Sequence, residues 1–136
     1  MHTTNYTNTF IAVADDCPVS SAEMPVIKGD KPTAATLQFE MIKKNPYKYD
    51  SDSVVFHVYA SKKDLTKSEL KEEREKFFSK GQPCFRASPL TKRYGWGVHN
   101  NEDGKVAIYA VGSPEYAKML KDKSLIHLKA MRTKKQ

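Results

Sequence analysis

From residue 94 the chain reads Tyr94-Gly95-Trp96-Gly97-Val98-His99, then Asn100-Asn101-Glu102-Asp103-Gly104, then Lys105-Val106-Ala107-Ile108-Tyr109-Ala110-Val111. Two apolar runs joined by five residues ending in glycine specify a β-hairpin, because glycine takes the left-handed backbone that closes such a turn. Side chains alternate across a strand. Tyr94, Trp96 and Val98 should therefore share one face, while Gly95, Gly97 and His99 leave a shallow trough on the other. Bulky groups are expected to fill that trough, with Phe77 and Phe78 as the first candidates and a ligand as the alternative.

The remaining elements follow from local signals. Thr9 to Ala14 is short, β-branched and aromatic and reads as a first strand. Asp15 to Pro32, rich in Asp, Ser, Pro and Gly, reads as a long loop. Ala34, Leu37, Met41 and Ile42 fall on one face of a helix that Asp30 or Lys31 would open and Asn45-Pro46 would stop. Ser53 to Ala60 alternates Val54, Phe56 and Val58 with Val55, His57 and Tyr59, the pattern of a strand covered on both faces. Thr66 with Glu69 forms a capping box, Leu65 can pack on Leu70 across it, and the helix it opens should run to about Lys80 and end at Gly81. Ser113-Pro114-Glu115 opens a third helix with Tyr116, Met119 and Leu120 as its apolar face. Leu125 to Met131 alternates as a last, edge-like strand, and residues 132–136 form a basic tail expected to fray.

The expected order is β-α-β-α-β-β-α-β over residues 1–136. This is a single α+β domain with a mostly antiparallel sheet and helices packed on one face. At this length one core suffices, since such a domain buries roughly two thirds of its unfolded surface. The apolar share of 39% is that of a globular chain, and no run approaches the ~18 apolar residues of a membrane span. The N-terminus carries no basic segment followed by an apolar core, so the expected compartment is the cytoplasm. Cys17 and Cys84 have no second cysteine at metal or redox spacing and are expected to be reduced thiols.

Net charge is +7 and uneven: residues 1–60 hold 5 Lys and Arg against 7 Asp and Glu, and residues 61–136 hold 18 against 9. A basic half permits an anionic partner, either a small molecule or nucleic acid, and equally suits a solvated lysine-rich surface. Specific signatures fail on spacing. Gly97 to Gly104-Lys105 has six intervening residues where a phosphate loop has four. Asp50-Ser51-Asp52 begins like a calcium loop, but Val54 stands where an oxygen ligand belongs. The four histidines and two cysteines show no zinc spacing, and neither a metal nor a cofactor is expected.

Lys92, Tyr94, Gly95 and Trp96 fit part of an RNA-recognition signature, but Arg93, Gly97 and His99 break it, and aromatic residues that share a face with Val98 read as core. Cys84 with His99 is the most plausible nucleophile and base, with a Tyr94-centred site as a variant. The segment Pro83 to Arg93 gathers Arg86, Ser88, Lys92 and Arg93, donors suited to a phosphate or carboxylate, beside a strand stripped by glycine. The expected site is Arg86, Ser88, Lys92, Arg93, Tyr94, Trp96 and His99, in a binding module for an anionic ligand or partner. A small enzyme and a nucleic-acid-binding protein are the alternatives, and pairing of the 125–131 edge between two chains is a third.

The stretches HTTNYTNTFIAVADDCPV, TLQFEMI and GQPCFRASPLTKRYGWGVHNNEDGKVAIYAV together resemble a family of small bacterial proteins of about this length, classed as a domain of unknown function. The resemblance covers essentially the whole chain and implies no activity. The Tyr-Gly-Trp-Gly strand, turn, second strand and Ser-Pro-Glu helix also look like the central hairpin of small α+β proteins of the double-wing type, a likeness of fold alone.

Overall fold

The computed structural model describes residues 2–25 and 33–132. The expectations for Asp30, Lys31, the rest of the loop over 26–32 and the tail over 133–136 lie outside the described residues. Strand β1 (Thr9–Ala12) is followed by helices α1 (Ala34–Lys44), α2 (Ser51–Lys63) and α3 (Lys67–Phe77). A 3-10 turn (Phe85–Ala87) and the short helix α4 (Pro89–Lys92) lead into the hairpin β2 (Trp96–Asn100) and β3 (Val106–Ala110). Helix α5 (Pro114–Lys121) and strand β4 (Ile126–Lys129) complete the order.

The four strands form one sheet in the order β3-β2-β1-β4. Two of its three pairings are antiparallel, β2 with β3 (Val98 opposite Ile108) and β1 with β2 (Phe10 opposite His99). The third, β1 with β4, is parallel (Phe10 opposite His127). The expected α+β class and mostly antiparallel sheet are present. The hairpin forms where it was expected, and β4 lies at the sheet edge.

The stretch expected as a strand over 53–60 is instead the middle of α2. Its caps explain the difference. Asp50 accepts a hydrogen bond from Ser53 N at 2.8 Å, Asp52 adds negative charge to the first turn, and Asp64 ends the helix in the left-handed conformation at φ 57°. A short β-branched run is compatible with either period, and these termini select the helix. Ser51, Val54 and Val58 then line one buried face. The N-terminal segment clamps this helix start, since Thr4 N and the Thr3 and Thr4 hydroxyls all donate to the Asp52 carboxylate at 2.6–2.7 Å.

Helix α1 is capped by Thr33, whose hydroxyl accepts from Thr36 N at 3.2 Å, and it stops at Asn45 as expected. Its buried face carries Ala35, Phe39 and Ile42 rather than Ala34, Leu37 and Met41, a rotation of the stripe that leaves Gln38 buried too. That face meets Ile11, Trp96, Val98 and Ile108 on the sheet, with Val54, Phe85 and Leu90 closing the core. Fully burying one such large apolar side chain stabilises the fold by about 1.5–3 kcal/mol.

The opposite sheet face is covered as well, where helices on one face alone were expected. Phe10, Ala12 and Tyr116 of α5 form a second cluster there. This cluster fills the glycine trough. A Cβ at Gly97 would lie 2.5 Å from Phe10 Cζ and 2.7 Å from Tyr116 Cε2. A phenylalanine does cover the glycine, but it is Phe10 and not Phe77, which packs with Phe56 and Tyr59 of α2, or Phe78, which packs on Phe77.

Candidate functional site

The segment 81–89 crosses over α1 and α2 and leaves a cavity of about 250 Å³. Val55, Val58 and Tyr59 of α2, Phe77 of α3 and Pro83 and Pro89 make its walls apolar. Gln38, Gln82, Cys84 and Ser88 bring polar side chains to it, and Gln82 Nε2 is already committed to Phe77 O at 2.7 Å.

Ser88 is the N-cap of α4, so its hydroxyl oxygen accepts from Leu90 N and its proton must go elsewhere. It goes to Gln38 Oε1, at 2.5 Å. This bond sets the amide orientation, because a hydroxyl already acting as acceptor for the helix needs a carbonyl to donate to. Gln38 is only 8% exposed, and its amide nitrogen has no hydrogen-bond partner among the described residues. Two N–H donors are thus left to the cavity, where water or a ligand can accept from them.

Cys84 Sγ lies 3.4 Å from the Tyr6 hydroxyl. The hydrogen bond to Cys84 and then burial push the Tyr6 phenol above its ordinary range, against the opposing charge of Arg86, and Tyr6 stays neutral. Both cysteines are free, and Cys17 Sγ contacts the Arg93 carbonyl at 3.6 Å.

The residues expected as a site do not converge. Arg86 is held at the sheet edge: its Nε donates to Lys129 O at 2.8 Å, and its carbonyl accepts from Met131 N at 2.7 Å. Arg93 is exposed and stacks over the Tyr94 ring at 5.8 Å, while Lys92 is half-buried. Tyr94 and Trp96 together hold Glu23, whose N–H donates to Tyr94 O and whose carbonyl accepts from Trp96 Nε1 at 2.8 Å. Trp96 is 7% exposed, edge-on to Phe39, and serves the core rather than a stacking platform. Of the seven, Ser88 alone lines the cavity.

Cys84 and His99 do not pair. Cys84 sits in the layer of α1 and α2, whereas His99 alternates to the α5 face of the sheet and meets Tyr47. The Tyr47 hydroxyl is 2.7 Å from both His99 Nδ1 and the Tyr109 hydroxyl. Tyr47 reaches them by hydrogen-bonding its N–H to Val106 O on the outer edge of β3 and turning through a left-handed φ of 60°. Burial holds the His99 imidazole below its ordinary range, with the charge of Asp122 opposing. The neutral ring and the Tyr47 hydroxyl share a hydrogen bond whose direction is set by the tautomer of His99. Burial first, and then Tyr109, push the Tyr47 phenol well up.

Sequence reasoning missed Gln38, Tyr6 and the Tyr47-His99-Tyr109 cluster. Gln38 had one available signal, a polar residue inside the apolar stretch Leu37 to Ile42. The others depend on contacts across 78, 52 and 62 residues. No cluster of three or more His, Cys, Asp and Glu side chains that could hold a metal occurs among the described residues, and none of their helices is long and apolar enough to cross a membrane.

The fold and cavity define a small α+β protein with one mixed sheet and helices on both faces. The chain belongs to the family of unknown function DUF6157, whose match spans residues 1–136. No curated protein and no solved structure matches it.

Proposed function

We infer that the chain is a binding module whose cavity between α1, α2 and the 81–89 segment takes a small molecule with an apolar body and one acceptor group, best a carboxylate. The observation that carries this reading is the orientation of the Gln38 amide by Ser88, which leaves its two donors to the cavity. A volume of about 250 Å³ lies just below the ~300–1,000 Å³ of drug-sized pockets, which favours a small metabolite-sized ligand. The net charge of +7 draws anions towards the surface. The free thiols Cys17 and Cys84 support residence in the reducing cytoplasm.

Titration of benzoate and its neutral isostere nitrobenzene, followed by amide NMR, tests the assignment. Benzoate should move resonances of Gln38, Cys84 and Ser88 and raise the melting temperature. Gln38→Leu should weaken benzoate about tenfold, the worth of one hydrogen bond to a charged acceptor. Undiminished affinity in Gln38→Leu, or shifts confined to other residues, would show that the cavity is not the site.

A further inference from the structure

A second concavity, of about 490 Å³, lies on the other side of α2. It exists because α3 is attached at one end only. At the C-terminal end Phe77 packs on Phe56 and Tyr59, with ring centroids 5.7 and 4.6 Å apart. The remainder of α3 contributes no fully buried residue. Leu70 therefore stands over a hollow floored by Met41, Tyr49, Phe56 and Ala60, with Ser53 and His57 of α2 also lining it.

The rim of this hollow is cationic. Lys71 and Arg74, three residues apart on α3, project on the same side of the helix and both line it, and no Asp or Glu does. The nearby carboxylates of Glu72 and Glu73 are turned to Lys76, at 3.5 and 3.7 Å. Among the described residues neither Lys71 nor Arg74 has a salt-bridge partner. The Arg74 guanidinium is held over the rings of Phe56 and Phe78 at 5.6 and 5.5 Å, which fixes a positive charge at the mouth of an apolar groove. Two like charges side by side repel each other, and an anion set between them relieves that repulsion.

We propose that this groove binds a single-chain amphiphilic carboxylate, its hydrocarbon against Met41, Phe56 and Leu70 and its head group between Lys71 and Arg74. The pairing of an apolar floor with unneutralised cations on one rim selects this chemistry over a neutral or cationic amphiphile. The volume falls within the ~300–1,000 Å³ of small-ligand pockets, whereas an amphipathic helix would need an apolar track several turns long. The groove shares no lining residue with the cavity at Gln38, and the proposal stands independently of the function inferred above.

The test is calorimetric titration with octanoate and decanoate below their micellar concentrations, at low ionic strength, beside decanol and decyltrimethylammonium. Decanoate should bind more tightly than octanoate by about fourfold per added methylene, and more tightly than either control. Added salt should weaken it. Lys71→Gln, at an exposed position, should weaken decanoate about threefold to tenfold and leave decanol unchanged. Gln38→Leu should change neither. NMR shifts should centre on Phe56, Leu70 and Arg74. Equal binding of decanol and decanoate, an unaffected Lys71→Gln protein, or shifts centred on Gln38 and Cys84 would overturn the proposal. So would an acidic amphipathic peptide that displaces decanoate and binds more tightly than it does.

Discussion

Neither glycine that flanks Trp96 has room for a side chain, and Gly95, where a Cβ would lie 2.8 Å from Val19 Cγ2 and 2.9 Å from Val111 Cγ1, is also required by its backbone. Gly95 precedes β2 and has φ +83°, a left-handed conformation that a side chain would strain. Gly97 is within the strand and is required for space. The rings of Phe10 and Tyr116, edge-to-face at a centroid distance of 5.3 Å, occupy the volume its side chain would take. Both rings are buried, at 0% and 6% exposure, and have nowhere to swing. Gly97→Ala should cost about 1–3 kcal/mol, the usual range for overpacking a filled core, read as a lower urea midpoint at unchanged m-value. Combining it with Phe10→Leu should recover part of the loss. A Gly97→Ala protein as stable as the parent would remove this account.

At the scale of elements, the termini decide what the apolar pattern leaves open. Residues 53–60 satisfy a period of two as well as a helical one, and α2 forms because Asp50 supplies a cap and the N-terminal segment ties Asp52. Burial raises the Asp50 carboxyl, but the hydrogen bonds from Ser53 and Asn5 and the charge of Lys105 outweigh it and hold the group below its usual range. Asp50→Ala should cost about 0.5–2 kcal/mol and should also loosen residues 3–5, because Asn5 Nδ2 donates to the same carboxylate at 3.2 Å. Hydrogen exchange of the Val54 and Thr4 amides checks both parts. Protection unchanged at both would contradict the capping argument. Helix α3 shows the other regime. Glu69 accepts from Thr66 N and the Thr66 hydroxyl at 3.0 and 2.9 Å, so local chemistry alone starts this helix, and its thin apolar stripe of Leu70, Phe77 and Phe78 reads as a surface helix anchored at its C-terminal end, as Phe77 is.

For the whole molecule, acid should act in two separate pH windows. His99 has a depressed folded-state pKa, so the unfolded chain binds the extra proton first. Its contribution to stability is full above the unfolded value of about 6.5 and is lost as pH falls through the lower folded value. Asp50 is depressed in the same sense, and its contribution is present above about 3.9 and lost below that. Urea midpoints should therefore decline between pH 7 and 5, then fall again below pH 4. His99→Gln should flatten the first decline and leave the second in place. A first decline of equal slope in the variant would assign it to another group.

The sequence by itself determined the hairpin and the capped starts of α3 and α5, because each rests on contacts between residues close in the chain, and its alternating patterns were enough for the α+β class and for the edge-like character of β4. It also marked Ser88 as a residue whose hydroxyl matters. Tertiary structure decided the rest. Whether 53–60 extends or coils depended on what clamps its N-terminus from 48 residues away. Which ring fills the Gly97 trough depended on β1 pairing between β2 and β4. Arg86 reads as an anion donor in sequence, yet it is drawn to the Lys129 carbonyl because an edge strand leaves that acceptor exposed. Neither concavity could be read from the chain. A cavity is bounded by side chains from several elements, and its donors are defined by which of their partners are already taken.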